Sequence, residues 1–302
     1  MSHAAIHAFP ADAGPAAALA GFLGIAFAPV GLHRFPDGES LVQVDPDQAR
    51  GRALLYCPLA DPNARLVELL LAAAALRDNG AQQVMLVAPY LAYMRQDMAF
   101  APGQAVSQQV VGKLLAQHFD GVLTVDPHLH RITSLDQVMP GIAAISISAG
   151  NLLAAELGQV PGTVLAGPDA ESRQWVEAIG HACGLPVLVG TKQRHGDRSV
   201  TVTFSQPEAV RGCRAVLVDD VISSGTTLVR AAEALLAAGA STVEVLATHC
   251  LASDDDLARM TAAGIVRIRA TDSVAGPVAT IPLAGLLARA IRQARWIEGE
   301  AS

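Results

Sequence analysis

Aromatic residues are scarce in this 302-residue chain, at 4% of positions, although hydrophobic residues reach 51% and Ala and Val are plentiful. That balance excludes a disordered or fibrous chain and suits helices packed closely on parallel sheets. Positive charge is also in deficit, with 21 Lys and Arg against 28 Asp and Glu and a net charge of −7. The chain therefore has no basic footprint for nucleic acid, and a cation needed for an anionic ligand must be local. The four cysteines, Cys57, Cys183, Cys213 and Cys250, lack C-x-x-C or zinc spacing. No disulfide framework is implied, and buried reduced thiols in a cytoplasmic protein are expected. Long apolar runs are missing too. Asp12, Gly14 and Pro15 interrupt the first residues, and the Ala-rich piece 66–76 is short and carries Glu68. Neither a signal peptide nor a membrane span is expected.

What the chain does carry is concentrated at residues 216–228, Val-Leu-Val-Asp-Asp-Val-Ile-Ser-Ser-Gly-Thr-Thr-Leu. An apolar β-branched run ends in Asp219 and Asp220, passes through Ser223, Ser224, Gly225, Thr226 and Thr227, and enters a helix-forming segment at 228–238. The order predicts a strand, a phosphate loop and a helix start. Unpaired N–H groups at such a helix N-terminus lie at the positive end of the macrodipole and can hold a phosphate, with the hydroxyls as further donors. Asp219 and Asp220 would repel that phosphate, so their partner is a neighbouring ribose diol or a metal ion. A ribose 5-phosphate group offers both ends. An ordinary polar turn with Ser or Thr as helix cap is the plainer alternative.

Strand-like runs at 53–57, 84–88 and 122–125 alternate with helix-like runs at 64–77 and 106–117. The same order returns later, with 163–166 before 171–181, 215–218 before 228–238, and 242–247 before 254–262. Such alternation predicts an α/β fold with mostly parallel sheets flanked by helices, and the length fits two domains. Two echoes point to duplication. Leu86-Val87-Ala88-Pro89 followed by Arg95-Gln96 parallels Leu165-Ala166-Gly167-Pro168 followed by Arg173-Gln174, and residues 122–126 parallel 215–219, each run ending in Asp. We therefore expect domains at 1–143 and 144–302, a crossover at 141–147, and a final amphipathic helix at 283–296 with Arg289, Arg292 and Arg295 on its wet side. Only the second half keeps the hydroxyl-and-glycine loop, so only it is expected to hold the ribose phosphate. The acidic run Ser253-Asp254-Asp255-Asp256 reads as a helix N-terminus, where carboxylates are favoured.

Further motifs follow in order. Arg34-Phe35-Pro36-Asp37-Gly38-Glu39, Tyr93-Met94-Arg95-Gln96-Asp97, Val125-Asp126-Pro127-His128 and Pro168-Asp169 precede the loop at 219–227. Together they resemble the motifs of the ribose-phosphate pyrophosphokinase (phosphoribosyl pyrophosphate synthetase) family over nearly the whole chain. The resemblance implies two tandem phosphoribosyltransferase-like (type I) domains. It also implies transfer of the β,γ-pyrophosphoryl group of ATP to the C1 hydroxyl of ribose 5-phosphate with Mg2+, giving 5-phosphoribosyl 1-pyrophosphate and AMP. A homo-oligomer, at least a dimer, is implied because the Phe35 loop of such enzymes reaches a neighbouring subunit. Phe100-Ala101-Pro102-Gly103-Gln104-Ala105-Val106-Ser107, Lys192-Gln193-Arg194-His195-Gly196-Asp197 and Ser223 are similar to the archaeal-type branch.

Lys192 and Arg194, two apart at a strand end, can project on one side of a hairpin and reach one phosphate. The resemblance makes them the catalytic pair, whereas alone they would read as a solvated turn. It places Phe35, Asp37, Gly38, Glu39, Arg95, Gln96, Asp97 and His128 at ATP. At ribose 5-phosphate it places Asp169, Asp219, Asp220, Ser223, Ser224, Gly225, Thr226 and Thr227. His128 and Asp169 are implied as metal ligands. His128 and His130 could suggest zinc, but no third and fourth ligand follow at a recognisable spacing. The chain departs from relatives at Met98 and Ala99, where basic residues are common, at Thr226, where a glycine is usual, and after His249, where a Phe-Ser-Gly-rich segment is missing. Two other functions stay open: a regulatory paralogue of a synthetase, and a phosphoribosyltransferase using a nucleobase.

Overall fold

The computed structural model describes residues 4–129, 131–158, 160–194 and 200–298. They form two compact units, one ending at Ile147 and regaining the chain from Pro282, the other spanning 148–281. The first contains β1 (Ala4–Ala8), α1 (Ala13–Leu23), β2 (Ala26–Pro29), a hairpin of β3 (Gly31–Arg34) and β4 (Ser40–Gln43), β5 (Gly51–Tyr56) and α2 (Pro62–Asp78). It continues through β6 (Ala81–Ala88), α3 (Ser107–His118), β7 (Gly121–Val125) and β8 (Ala143–Ile147). Its six-stranded sheet, in the order β2-β1-β5-β6-β7-β8, is parallel throughout. The apolar stripe Leu69, Ala72, Ala73 and Leu76 of α2 recurs at helical spacing and closes one sheet face, where Leu55, Leu86 and Val122 are buried.

The second unit contains α4 (Gly150–Leu157), β9 (Thr163–Gly167), α5 (Arg173–Cys183), β10 (Val187–Arg194), β11 (Val200–Phe204) and β12 (Arg214–Ile222). It is completed by α6 (Thr226–Ala237), β13 (Thr242–Cys250), α7 (Asp254–Ala262), β14 (Ile265–Thr271) and β15 (Ala279–Ile281). The sheet order is β11-β10-β9-β12-β13-β14-β15, with only β11 antiparallel to its neighbour. Leu228, Ala231, Ala232 and Leu235 of α6 bury one helical face against Leu217, Val243 and Val245. The run 253–256 starts α7 as expected: Ser253 and Asp256 form a reciprocal capping box. Among the described residues no helix is long and apolar enough to cross a membrane.

Two boundaries differ from the sequence reading. Residues 143–147 are a strand, β8, pairing with β7 from Gly121↔Ala143 to Val125↔Ile147. The stretch is half-exposed because β8 is the edge strand. The final helix α8 (Ala284–Gln293) belongs to the first unit, not to the unit that follows residue 144. Its buried face, Leu287, Ala288 and Ile291, packs on the α1 side, and Arg292 donates to the Phe22 carbonyl. An amphipathic pattern shows that a helix has a buried face but not which neighbour covers it.

Candidate active site

In the second unit the connections reverse between β9 and β12: the chain leads from β9 outward to β10 and β11, and from β12 to β13, β14 and β15. Ligands of open α/β sheets bind at such a switch point, outside the carboxyl ends of the strands. Asp169 follows β9, Asp219 to Ile222 end β12 and Ser223 to Thr227 lead from it into α6, so the strongest sequence motif and the Pro-Asp turn converge there. Gly225 is the cap of α6, with φ of 68°, and Thr226 is the first helical residue. The first N–H groups of α6 have no intrahelical partner and face outward from the N-terminus. Ser224 and Thr226 share a hydroxyl hydrogen bond of 3.1 Å, and residues including Asp219, Ser223 and Thr227 line a cleft of about 100 Å³.

Asp220 is buried, and its N–H donates to Asp219 Oδ1 at 3.0 Å. Burial, reinforced by repulsion from Asp220 and Asp169, pushes the Asp219 carboxyl well above the ordinary carboxylate range. Three mutually repelling carboxylates beside an anion loop suit a ligand that brings hydroxyl donors or a hard cation. Among the described residues no His, Cys, Asp and Glu cluster could hold a metal unaided. A magnesium ion here would draw its remaining oxygens from substrate, its usual mode at phosphate sites. The raised value carries a stability sign. Below its unfolded pKa Asp219 is protonated in both states and costs nothing; stability falls as pH rises from that value through the raised folded pKa, above which the full penalty is present. Asp219→Asn is therefore expected to raise the Tm of ligand-free protein at pH 7 while weakening ribose 5-phosphate binding; a lowered Tm in a thermal melt would contradict this.

Lys192 lies beside this loop. It pairs with Val202 across the β10–β11 hairpin, and its Nζ lies 3.0 Å from Asp169 Oδ2. Asp169 Oδ1 accepts the Glu171 and Ser172 N–H groups at 3.1 and 3.3 Å, so the carboxylate is oriented before the lysine reaches it. Arg194 is the last residue of β10. Residues 195–197, including the predicted His195-Gly196-Asp197 turn, lie outside the described residues, as does His130.

The first unit has its own reversal, between β1 and β5, but that crevice is filled. Arg65 forks onto Asp12 at 2.5 and 3.2 Å and reaches Cys57 Sγ at 3.6 Å. Burial pushes the Cys57 thiol up to about 12, so it stays protonated and unreactive. The candidate nucleotide residues come instead from loops after β6 and β7 and from the β3–β4 hairpin. Gln108 of α3 ties the first of these loops: its N–H donates to Gln96 O at 3.2 Å and its side chain to Met94 O at 3.0 Å. Arg95 is exposed. His128 follows Asp126, a non-glycine residue at φ 35°, and Tyr93 opens its motif at φ 65°. Such strained positions cost about 1–3 kcal/mol each and cluster at functional sites.

Residues 6–118 match the family model for the N-terminal domain of ribose phosphate pyrophosphokinase, and residues 136–275 match the phosphoribosyl transferase domain model. The ribose-phosphate pyrophosphokinase of Methanopyrus kandleri is 33% identical over 87% of this chain and 90% of its own length. That of Methanothermobacter thermautotrophicus is 32% identical over 90% and 94%. The chain belongs to the ribose-phosphate pyrophosphokinase family. The phosphoribosylpyrophosphate synthetase structure from Mycobacterium smegmatis matches 98% of this chain and 100% of that one, with a TM-score of 0.81 and 26% identity. Both units are thus phosphoribosyltransferase-like, and the two archaeal relatives agree with the branch indicated by residues 100–107 and Ser223.

Within this pyrophosphokinase framework the structure adds residues that motif reading passed over. Asp97, with 1% of its side chain exposed, engages Arg131 through both carboxylate oxygens, at 2.5 Å to Nη1 and 3.2 Å to the Arg131 N–H. It fastens the loop carrying His128 and presents Arg131 as a half-exposed cation close to Met98 and Ala99. The Phe35 hairpin is anchored by Glu68, whose side chain is 3% exposed and accepts from Arg34 at 2.6 and 3.1 Å and from Ser40 at 3.1 Å. Phe35 itself is exposed and meets His33 edge to face, ring centroids 4.7 Å apart. A cavity of about 640 Å³ opens between this hairpin and α2, lined by Asp37, Glu39, Val67 and Leu71 among others. A lone carboxylate in the otherwise apolar 66–76 piece was the available sequence signal for the anchor.

The Arg34 hydrogen bond holds the Glu68 carboxyl below its ordinary value of 4.5. A depressed folded pKa gives stability that is present above pH 4.5 and lost as pH falls through the lower value. Glu68→Gln is expected to speed amide exchange in the Phe35–Glu39 turn at neutral pH, with the gap from wild type closing in strong acid. Equal exchange at neutral pH would mean that Glu68 does not anchor the hairpin.

Proposed function

We propose that this chain transfers the β,γ-pyrophosphoryl group of ATP to the C1 hydroxyl of ribose 5-phosphate, releasing AMP. The observation that carries the reading is the loop of the second unit, where an α6 N-terminus and an aspartate pair lie side by side at a sheet switch point with Lys192 adjacent. The 5-phosphate takes the N–H groups and hydroxyls of Ser224, Gly225, Thr226 and Thr227. Asp219 and Asp220 accept hydrogen bonds from the ribose hydroxyls. This fixes the C1 oxygen for attack on the β-phosphorus of ATP; the bond from that phosphorus to the α,β-bridging oxygen breaks and AMP leaves.

Such transfer asks the protein mainly for alignment and neutralisation of charge. Lys192 holds an ammonium against the pyrophosphoryl oxygens and, with Arg194, forms the proposed catalytic pair. Arg95 and Arg131 face the remaining phosphates, Gln96 and Phe35 the nucleoside, and Asp37, Gly38 and Glu39 the adenine edge. Magnesium would be held by Asp169 together with substrate oxygens and would supply further neutralisation when bound; His128, in the first unit, is the other ligand that the family resemblance implies. The hairpin carrying Phe35 acts on a neighbouring copy, which requires at least a dimer.

The test is AMP release by purified protein with ATP and magnesium, with and without ribose 5-phosphate. Sugar-dependent AMP that stops on chelation supports the proposal. Folded protein that binds ribose 5-phosphate yet releases no AMP would defeat it and favour a regulatory paralogue. Pyrophosphate release from 5-phosphoribosyl 1-pyrophosphate with a nucleobase would favour a transferase.

A further inference from the structure

The phosphate loop is poor in positive charge. Residues 219–229 include two aspartates and no Lys, Arg or His. The first basic residue of α6, Arg230, is paired with Glu233 at 2.8 Å. A sugar phosphate placed beside Asp219 and Asp220 therefore relies on the helix N-terminus, unless a cation arrives from another element. One does. Arg259 of α7 donates from Nη2 to the Ser224 carbonyl, and the same nitrogen lies 2.9 Å from Asp256 Oδ1. Asp256 is held in turn by Ser253 through the capping box, with the Ser253 hydroxyl 2.8 Å from Oδ2. The next residue, Met260, is fully buried beneath Gly225, so close that a Cβ on Gly225 would meet its Sδ at 2.5 Å. Two consecutive residues of α7 thus hold the loop, one from below and one at its rim.

The contact at the rim fixes an orientation. The Ser224 C=O and the Gly225 N–H share one planar trans peptide and point opposite ways. A guanidinium that draws the carbonyl toward α7 turns the Gly225 N–H away from it. Arg259 is half-exposed and lies on the carbonyl side of that peptide, opposite the N–H, so its charge, partly offset by Asp256, acts on a phosphate at the loop across the peptide.

We infer that Arg259 is a positioning residue for the sugar phosphate: it sets the Ser224–Gly225 peptide and lends the phosphate loop the cation its own sequence lacks. This rests on the reading that the loop takes the phosphate of ribose 5-phosphate. In the full chain, Arg259→Ala is expected to raise the calorimetric Kd and the KM for ribose 5-phosphate about five- to tenfold, the scale of a partly screened charge pair and its hydrogen bond. Both kcat and the KM for ATP should stay near wild type. Arg259→Lys, which keeps the charge and a donor, should recover part of the loss, and salt should weaken binding less in the alanine variant than in wild type. Should Arg259→Ala fail to fold, Arg259→Gln, which keeps a donor and drops the charge, carries the same readings. An unchanged Kd, or an equal rise in both KM values with no recovery in lysine, would overturn the inference. Wild-type binding is measured first. If folded wild type does not bind ribose 5-phosphate, the loop reading itself fails, whereas wild-type binding indifferent to Arg259 defeats only this assignment.

Discussion

Replacing Lys192 by alanine is expected to lower the rate of AMP release about 10² to 10³-fold, or about 3–4 kcal/mol, the usual cost of removing a donor aimed at developing charge. The ground state should be little affected. Lys192 is a third exposed, but the oxygen of Asp169 that it pairs with belongs to a side chain only 16% exposed, so its loss costs stability about 1–3 kcal/mol, more than an exposed pair would. Asp169 stays in place because its other oxygen is held by the Glu171 and Ser172 N–H groups. The ribose 5-phosphate loop on β12 and α6 is built without Lys192, so binding of that substrate should survive. Arginine should not restore the rate, since a bulky planar fork on a three-methylene stem cannot occupy the place of a compact ammonium on four methylenes. The measurement is single-turnover AMP release beside calorimetric ribose 5-phosphate affinity. A Lys192→Ala protein retaining a tenth or more of the wild-type rate would remove Lys192 from the chemistry, while a lost rate with equally lost affinity would make it a binding residue.

The pairing of Lys192 with Asp169 marks where sequence reading stops. Residues 216–228 were legible because everything in them is local: a short β-branched apolar run that suits a buried strand, acids that end it, a glycine where the backbone turns left-handed, and a stripe at helical spacing beyond. The Lys192–Asp169 contact spans 23 residues and exists because β9 and β10 run parallel in the register Leu165↔Val187. Arg131 with Asp97 and Arg34 with Glu68 each span 34 residues, and they too depend on how loops meet after the strands are ordered. Asp97, which the resemblance places at ATP, pairs with Arg131 through both of its oxygens, a partner that the Arg-Gln-Asp motif does not name. The filled crevice of the first unit is another such case. The sequence shows that the hydroxyl loop is missing there, but not that Arg65 and Asp12, 53 residues apart, close the gap.

Gly225→Ala is expected to raise the KM for ribose 5-phosphate about 100-fold, for two separable reasons. Gly225 sits at φ 68°, where a side chain costs about 1–2 kcal/mol. The added Cβ would also fall 2.5 Å from Met260 Sδ and 2.9 Å from its Cε. A thioether is flexible and can yield, but Met260 is fully buried on α7, so relief comes partly from lifting the loop. A displacement near 1 Å in a group that positions substrate can cost about 10²-fold. Shortening Met260 tests the division. In Gly225→Ala with Met260→Ala the overlap is gone and only the backbone cost remains, so a substantial part of the lost affinity should return even though the cavity left by Met260 lowers the Tm by itself. Both variants and the Met260→Ala control complete a double-mutant cycle on ribose 5-phosphate affinity, and contacting residues typically couple by about 0.5–3 kcal/mol. Additive losses would mean that the left-handed backbone alone demands glycine here. Full affinity in Gly225→Ala would show that the sugar phosphate does not use this loop, and the proposed substrate site would fall with it.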